Sequence, residues 1–227
     1  MIEMEYGQAF SYIRQDPDWL KKWGLAGLIS IVPVLGPIMV AGYGVEVTRR
    51  VIREEERPLP PWSDLAGFAI QGLIAVVIGL AYTLPLILLI ACAGLLPLGL
   101  NLAGAEANRE VASALETLSS AVALCCSCLA TAYGLFAALT LTAALGRYAA
   151  TDRIGAAFQI NEVVRLVRVK PGMFFVVALL SMLTALAFSL LGSLACGIGA
   201  FFGAAYATLV AAHLQGQAYR YVTQTHE

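Results

Sequence analysis

The residues with the greatest chemical capacity are few. Cys125, Cys126 and Cys128 lie near the start of an apolar run, and Cys92 and Cys196 lie in other apolar stretches. Grouped thiolates could hold a thiophilic metal such as Cu(I) or close a disulfide. On a helix, however, neighbours diverge by about 100° per residue, so only Cys125 and Cys128 share a face. No histidine lies nearby to complete a ligand set, and an odd number of cysteines excludes full internal pairing. Packing as small apolar residues is the expected role, and no metal or other cofactor is expected. His213 is the histidine within an apolar run, and Gln217 stands one helical turn beyond it. An ionisable group at such a place is a functional candidate, although water or headgroups could satisfy it near the end of the run.

Other chemistry finds little support. No Ser-His-Asp set, zinc-protease helix or phosphate-cradling glycine loop appears, and no Asp or Glu falls at membrane depth to serve acid–base or ion-coupled work. The chain is not expected to be an enzyme. Gln71, Tyr82, Thr83, Thr131, Tyr133, Ser181 and Thr184 are polar positions inside apolar runs. They could line a polar path, but such groups more often pair helices, as does the small-xxx-small face Gly199–Gly203.

The elements that must carry these residues follow from composition. Of 227 residues, 59% are hydrophobic and 13% charged, with mean hydropathy +0.78. A soluble domain carries about a quarter charged residues. Lipid is therefore the expected solvent, and a net charge of −1 gives no reason to expect a nucleic-acid partner. No cleaved signal is expected, since the start is acidic rather than basic.

Residues 6–23 combine aromatic and basic residues, and Asp16-Pro17-Asp18 suggests the start of an interfacial helix with Trp19 and Trp23 at headgroup level. Residues 24–45 form an apolar run broken by Pro33 and Pro37, either a re-entrant hairpin or a kinked fifth span. Residues 65–100 would measure ~54 Å as straight helix, beyond the ~30 Å hydrocarbon core, with Pro85 and Pro97 as places for a kink or an outer extension. Then come an outer loop at 101–118, a span at 121–145, an amphipathic surface helix at 153–168 with Ile160, Val163, Val164 and Val167 on one face, and spans at 173–191 and 194–214. The expected fold is thus an all-α integral membrane protein with four full transmembrane helices, a proline-broken hairpin and two interfacial helices.

Charge orients this arrangement. With a hairpin at 24–45, thirteen of the fourteen Lys and Arg residues share one side and only Arg109 is opposite; a crossing there would give ten against four. The positive-inside rule then favours the hairpin, with both termini cytoplasmic.

Asp-Pro-Asp-Trp-Leu-Lys-Lys (16–22), Gly-Tyr (42, 43), Leu-Pro-Pro-Trp-Ser-Asp (59–64), Gly-Arg-Tyr-Ala (146–149), Ala-Ala-Phe (156–158), Glu162-Val163 and His-Leu-Gln-Gly-Gln-Ala-Tyr-Arg (213–220) resemble, in that order, the membrane family of domain of unknown function 4013. The resemblance spans nearly the whole chain. It implies a bacterial or archaeal multi-pass protein of the cytoplasmic membrane and assigns no activity. Pro61 stands where the family pattern has an acidic residue.

Two functions follow as expectations. One is a non-enzymatic scaffold whose basic face, comprising Arg49, Arg50, Arg53, Arg57, Arg153, Arg165, Arg168 and Lys170, meets membrane lipids, with a membrane-protein partner or a second copy as further occupants. The other is a small-solute transporter or channel using Pro33 and Pro37 at the broken run, while His213 and Gln217 stand apart as a proton relay or an interfacial structural pair.

Overall fold

The prolines, polar turns and apolar runs divide the chain into helices. A computed structural model describes residues 4–104, 108–194 and 197–224. Among these, helix is the only regular secondary structure: α1 (Gln8–Gln15), α2 (Trp19–Ser30), α3 (Leu35–Ile52), α4 (Leu65–Gly104), α5 (Arg109–Thr151), α6 (Ile154–Ala157), α7 (Ile160–Val169), α8 (Pro171–Leu194) and α9 (Ile198–Gln224). Four of them, α4, α5, α8 and α9, are long and apolar enough to cross a membrane. The chain is an all-α membrane protein.

Several boundaries differ from expectation for local reasons. The segment 6–23 is two helices, because Asp16 Oδ1 accepts the Asp18 amide at 2.9 Å and the Asp16 carbonyl accepts the Trp19 amide at 3.1 Å, folding a turn around Pro17. The run 24–45 is also two helices. They join at residues 31–34, where Val34 takes φ 66°, a left-handed conformation rare for a β-branched residue. Lys22, early in α2, donates Nζ to the carbonyl of Leu59 beyond α3, at 2.8 Å, so the two helices run back along one another. Little of 101–118 is loop: α4 continues through Pro85 and Pro97 to Gly104, and α5 begins at Arg109. The surface helix breaks at Phe158–Gln159, between α6 and α7. Ala105 and Cys196 lie outside the described residues.

The chain divides into two compact units, Met1–Gly79 with Leu139–Glu227, and Leu80–Ala138. In the first, α9 is the centre on which α1, α2, α3, α7 and α8 pack. Its side chains Leu209, Val210, Leu214, Ala218 and Val222 are buried. Backbones meet closely where glycine permits: a Cβ at Gly42 would strike the Phe68 carbonyl and Gly72 amide, and one at Gly203 would meet the Phe188 carbonyl at 2.6 Å. These contacts use small residues to bring helices into van der Waals range, as packing in lipid requires.

The second unit is an antiparallel pair made from the end of α4 and the beginning of α5. Tyr133 Oη donates to the Tyr82 carbonyl at 3.0 Å, Cys126 Sγ lies 3.2 Å from Cys92 Sγ, and Ser119 Oγ donates to Asn101 Oδ1 at 3.1 Å. Its outer surface is apolar, with Leu88, Leu95 and Leu124 each more than 60% exposed.

Candidate functional site

The polar residues of the first unit form three groups, two closed and one open. In the first group, Lys22 Nζ sits 2.7 Å from Asp16 Oδ2 while Trp62 Nε1 donates to the Lys22 carbonyl at 2.9 Å. Trp62 stacks on Tyr43 at 4.3 Å and 9°, and Tyr43 Oη donates to the Pro60 carbonyl at 2.8 Å. Burial opposes ionisation of Asp16, but the Lys22 ammonium, the Asp18 amide and the charge of Arg57 outweigh it and hold the carboxyl below its ordinary value of 3.8. Every polar atom named in this group has a partner. It is a lock that holds the start of α2 against the chain leaving α3.

The second group ties α3 to the end of α5. Arg49 donates to the Ala149 carbonyl (3.1 Å), Glu46 Oε2 (2.7 Å) and Asp152 Oδ1 (2.6 Å), and Arg50 reaches Glu46 at 3.2 Å and Glu55 at 3.5 Å. Nearby, Arg147 donates to the Ala156 carbonyl and to Gln159 Oε1 and lies 3.6 Å from Glu162. The expectation that Arg49 faces lipid is therefore corrected. Its guanidinium is buried and three protein acceptors engage it, which is how a buried charge is tolerated. Arg50 is half-buried and paired. Arg53, Arg57, Arg153, Arg165, Arg168 and Lys170 remain exposed, with Arg165 3.1 Å from Glu162.

The third group lies between α1, the end of α3 and α9. Helix α9 places His213, Gln217 and Arg220 on one face, four and three residues apart. From α1, Tyr12 stacks on the His213 ring at 4.2 Å and donates Oη to the Leu209 carbonyl at 2.9 Å. Burial, followed by the neighbouring Tyr43 and Tyr206, pushes the Tyr12 phenol well above its usual range, so it stays a hydrogen-bond donor. Helix α3 ends with the Glu55 amide bonded to the Arg50 carbonyl and the Glu54 amide to the Val51 carbonyl, a Schellman turn that places Glu54 at φ 59°. Glycine is usual there. The turn sends Glu54, Glu55 and Glu56 toward α9, where Glu54 lies 3.3 Å from Arg220.

These three elements enclose a cavity of about 190 Å³, with Gln8 and Tyr12 on one wall, the glutamates on another, and His213, Gln217 and Arg220 on the third. Three residues that line it each have a buried polar atom without a partner: His213 Nδ1, Gln217 Oε1 and Arg220 Nε. The Gln217 amide nitrogen faces Gln8 Oε1 at 3.5 Å, which assigns its oxygen to the cavity. An unsatisfied buried polar atom costs about 1–3 kcal/mol, so three on residues of one cavity wall mark a place where water or a ligand would complete the hydrogen bonding.

Sequence reasoning singled out His213 and Gln217, and the structure brings them together. It missed Arg220, Tyr12 and Gln8. A legible signal for Arg220 was its spacing of seven from His213 on the same helical face. The α1 residues carry no such signal, since their approach to α9 is a tertiary contact. Pro33 and Pro37 are exposed at the turn of the α2–α3 hairpin and do not line this cavity. The cysteine pair that forms is Cys92 with Cys126 across two helices rather than Cys125 with Cys128 along one, while Cys125 and Cys128 are exposed. Among the described residues no three His, Cys, Asp or Glu side chains gather as a metal would require. In the membrane-depth segments, Thr131 and Thr184 bond carbonyls of their own helices, while Gln71 Oε1 and Ser181 Oγ are buried without partners.

A family model described as "Protein of unknown function (DUF4013)" matches residues 25–197. The chain belongs to the DUF4013 family. The DUF4013 match includes Tyr43, Leu59–Trp62, Gly146–Ala149 and Glu162, which place partners in both closed groups, and stops short of Asp16–Lys22 and His213–Arg220. No curated protein and no solved structure matches the chain.

Proposed function

We propose that this DUF4013 protein is a non-enzymatic scaffold of the cytoplasmic membrane that gathers anionic lipid, and partners associated with it, at one bilayer face. The observation that carries this reading is the surface around α6 and α7. Val163 and Val167 are buried, Ile154, Phe158 and Ile160 are exposed, and Arg153, Arg168 and Lys170 project from the same short stretch without ion pairs among the described residues. An amphipathic helix of this kind lies in the interface, where each basic residue contributes about 1 kcal/mol of attraction to an anionic leaflet. Support for a non-enzymatic role comes from the use of Lys22, Arg49, Arg147 and Glu162 in bonds between elements.

The same reading places both termini on the cytoplasmic side. Helix α2 has 12 residues, about 18 Å of rise, and the apolar limb of α3 from Leu35 to Val45 is of similar length. Each limb reaches about the midplane of a ~30 Å core. The turn between them exposes Ile31, Val32, Val34 and Leu35, a tip suited to hydrocarbon and not to water.

Reconstitution into nanodiscs of mixed neutral and anionic lipid tests the function. The lipid retained after mild delipidation is expected to be enriched several-fold in the anionic species, and the combined substitution Arg153→Gln, Arg168→Gln and Lys170→Gln is expected to return it to the bulk composition. Retained lipid of bulk composition with the unsubstituted protein would overturn the proposal.

A further inference from the structure

The cavity on α9 carries more than a packing role. Its inner wall offers Gln217 Oε1 as an acceptor, Arg220 Nε as a donor, and His213 Nδ1 as either according to the imidazole tautomer. The carboxylates at the opening are not equivalent. Glu54 is paired with Arg220 and Glu55 with Arg50, whereas Glu56 has no ion pair among the described residues. After internal pairing the opening thus retains one negative charge. His213 and Gln217 are 5% and 6% exposed, so their orphan atoms are not satisfied by bulk water. The volume, about 190 Å³, corresponds to roughly six water molecules, enough for a molecule of a few heavy atoms. A cation alone would leave the Arg220 N–H unmet, and an anion would be opposed by Glu56.

We propose that this cavity binds a compact primary ammonium that also carries an oxygen acceptor, as an amino alcohol does. The ammonium N–H groups bond Gln217 Oε1 and face Glu56, and the oxygen accepts from Arg220 Nε. The shared chemistry occurs both in a free amino alcohol and in an ethanolamine lipid headgroup. Quaternary ammonium lacks the N–H donors and is discriminated against.

Binding of ethanolamine and choline to the full-length protein in nanodiscs of phosphatidylglycerol, measured by calorimetry, tests the site. Saturable binding of ethanolamine, with choline weaker by about tenfold or more, is expected. Glu56→Gln, at an exposed position that does not enter the packing, is expected to weaken ethanolamine by about tenfold, and Gln217→Leu by at least as much. Repeating the titration in phosphatidylethanolamine nanodiscs separates the sources. An apparent Kd that rises there identifies the headgroup as occupant, and an unchanged Kd identifies the free amine. Equal affinity for ethanolamine and choline means that no N–H donor is recognised, and no saturable binding by folded protein means that the cavity holds water only; either result overturns the proposal.

Discussion

The unit formed by Met1–Gly79 with Leu139–Glu227 and the unit formed by Leu80–Ala138 solve the same problem, helix association in an apolar medium, with different means. The first uses backbone-close crossings at Gly42 and Gly203, a three-acceptor clamp on Arg49 and an aromatic stack of Tyr43 on Trp62. The second relies on a few contacts along one seam, Tyr133 on Tyr82, Gly134 facing Leu86, and Cys126 beside Cys92, and leaves much of its leucine surface exposed. A network of bonds among many elements fixes one arrangement of segments distant in sequence, whereas a largely apolar seam with two hydrogen bonds specifies less. The difference predicts where substitutions matter.

The largest effect is expected at the crossing of α3 with α4. Gly42→Val drives a side chain into the Phe68 carbonyl and should destabilise the protein by about 3 kcal/mol or more, visible as a lowered thermal midpoint. Gly94→Val in the other unit, with no atom within 4 Å of its added Cβ, should stay within about 0.5 kcal/mol. Equal effects would break the comparison. Next comes Arg49→Gln, which leaves Glu46 with Arg50 alone and frees Asp152. Because Asp152 is largely exposed, the loss should be about 2 kcal/mol, less than for a fully buried pair.

Smaller in effect is the acid response of the α1–α2 junction. The folded pKa of Asp16 lies below its ordinary value of 3.8, so the carboxylate stabilises the folded state above that value, and the contribution is lost as pH falls through the lower folded pKa. Hydrogen-exchange protection factors at residues 16–22, with the pH dependence of intrinsic exchange divided out, should therefore be constant from neutrality down to about 4 and fall below it. Asp16→Asn should remove that acid step. The smallest expected effect belongs to the second unit. Mild copper-catalysed oxidation should join Cys92 to Cys126, with two protons and two electrons passing to the oxidant, while maleimide in detergent labels Cys125 and Cys128. Peptide mass mapping distinguishes this from a Cys125–Cys128 bridge.

Much of the architecture is legible in the sequence, because hydropathy and proline act locally. The apolar runs become α4, α5, α8 and α9, and Pro33 and Pro37 flank the turn between α2 and α3. Legibility fails where a charge meets a distant partner. Arg49 reads as a basic residue ending an apolar run, yet its carboxylate Asp152 lies 103 residues away. Glu46, three residues before Arg49 and four before Arg50, has the spacing of a helical ion pair, a local signal that the two arginines are not free. Of the candidate site, His213 and Gln217 are readable as a polar turn in an apolar helix. Tyr12 and Gln8 are not, since only folding brings α1 against α9.

The central claim is that the α2–α3 hairpin enters the bilayer and returns on the same side. It is tested most directly by single cysteines placed at Ser11, Glu56, Gln224 and Ser193 in a background with the native cysteines replaced, all four being exposed positions. An impermeant maleimide applied to sealed vesicles should reach Ser11, Glu56 and Gln224 from one face and Ser193 from the other. Labelling of Ser11 from the face opposite Glu56 would contradict the account, because residues 24–45 would then cross the membrane.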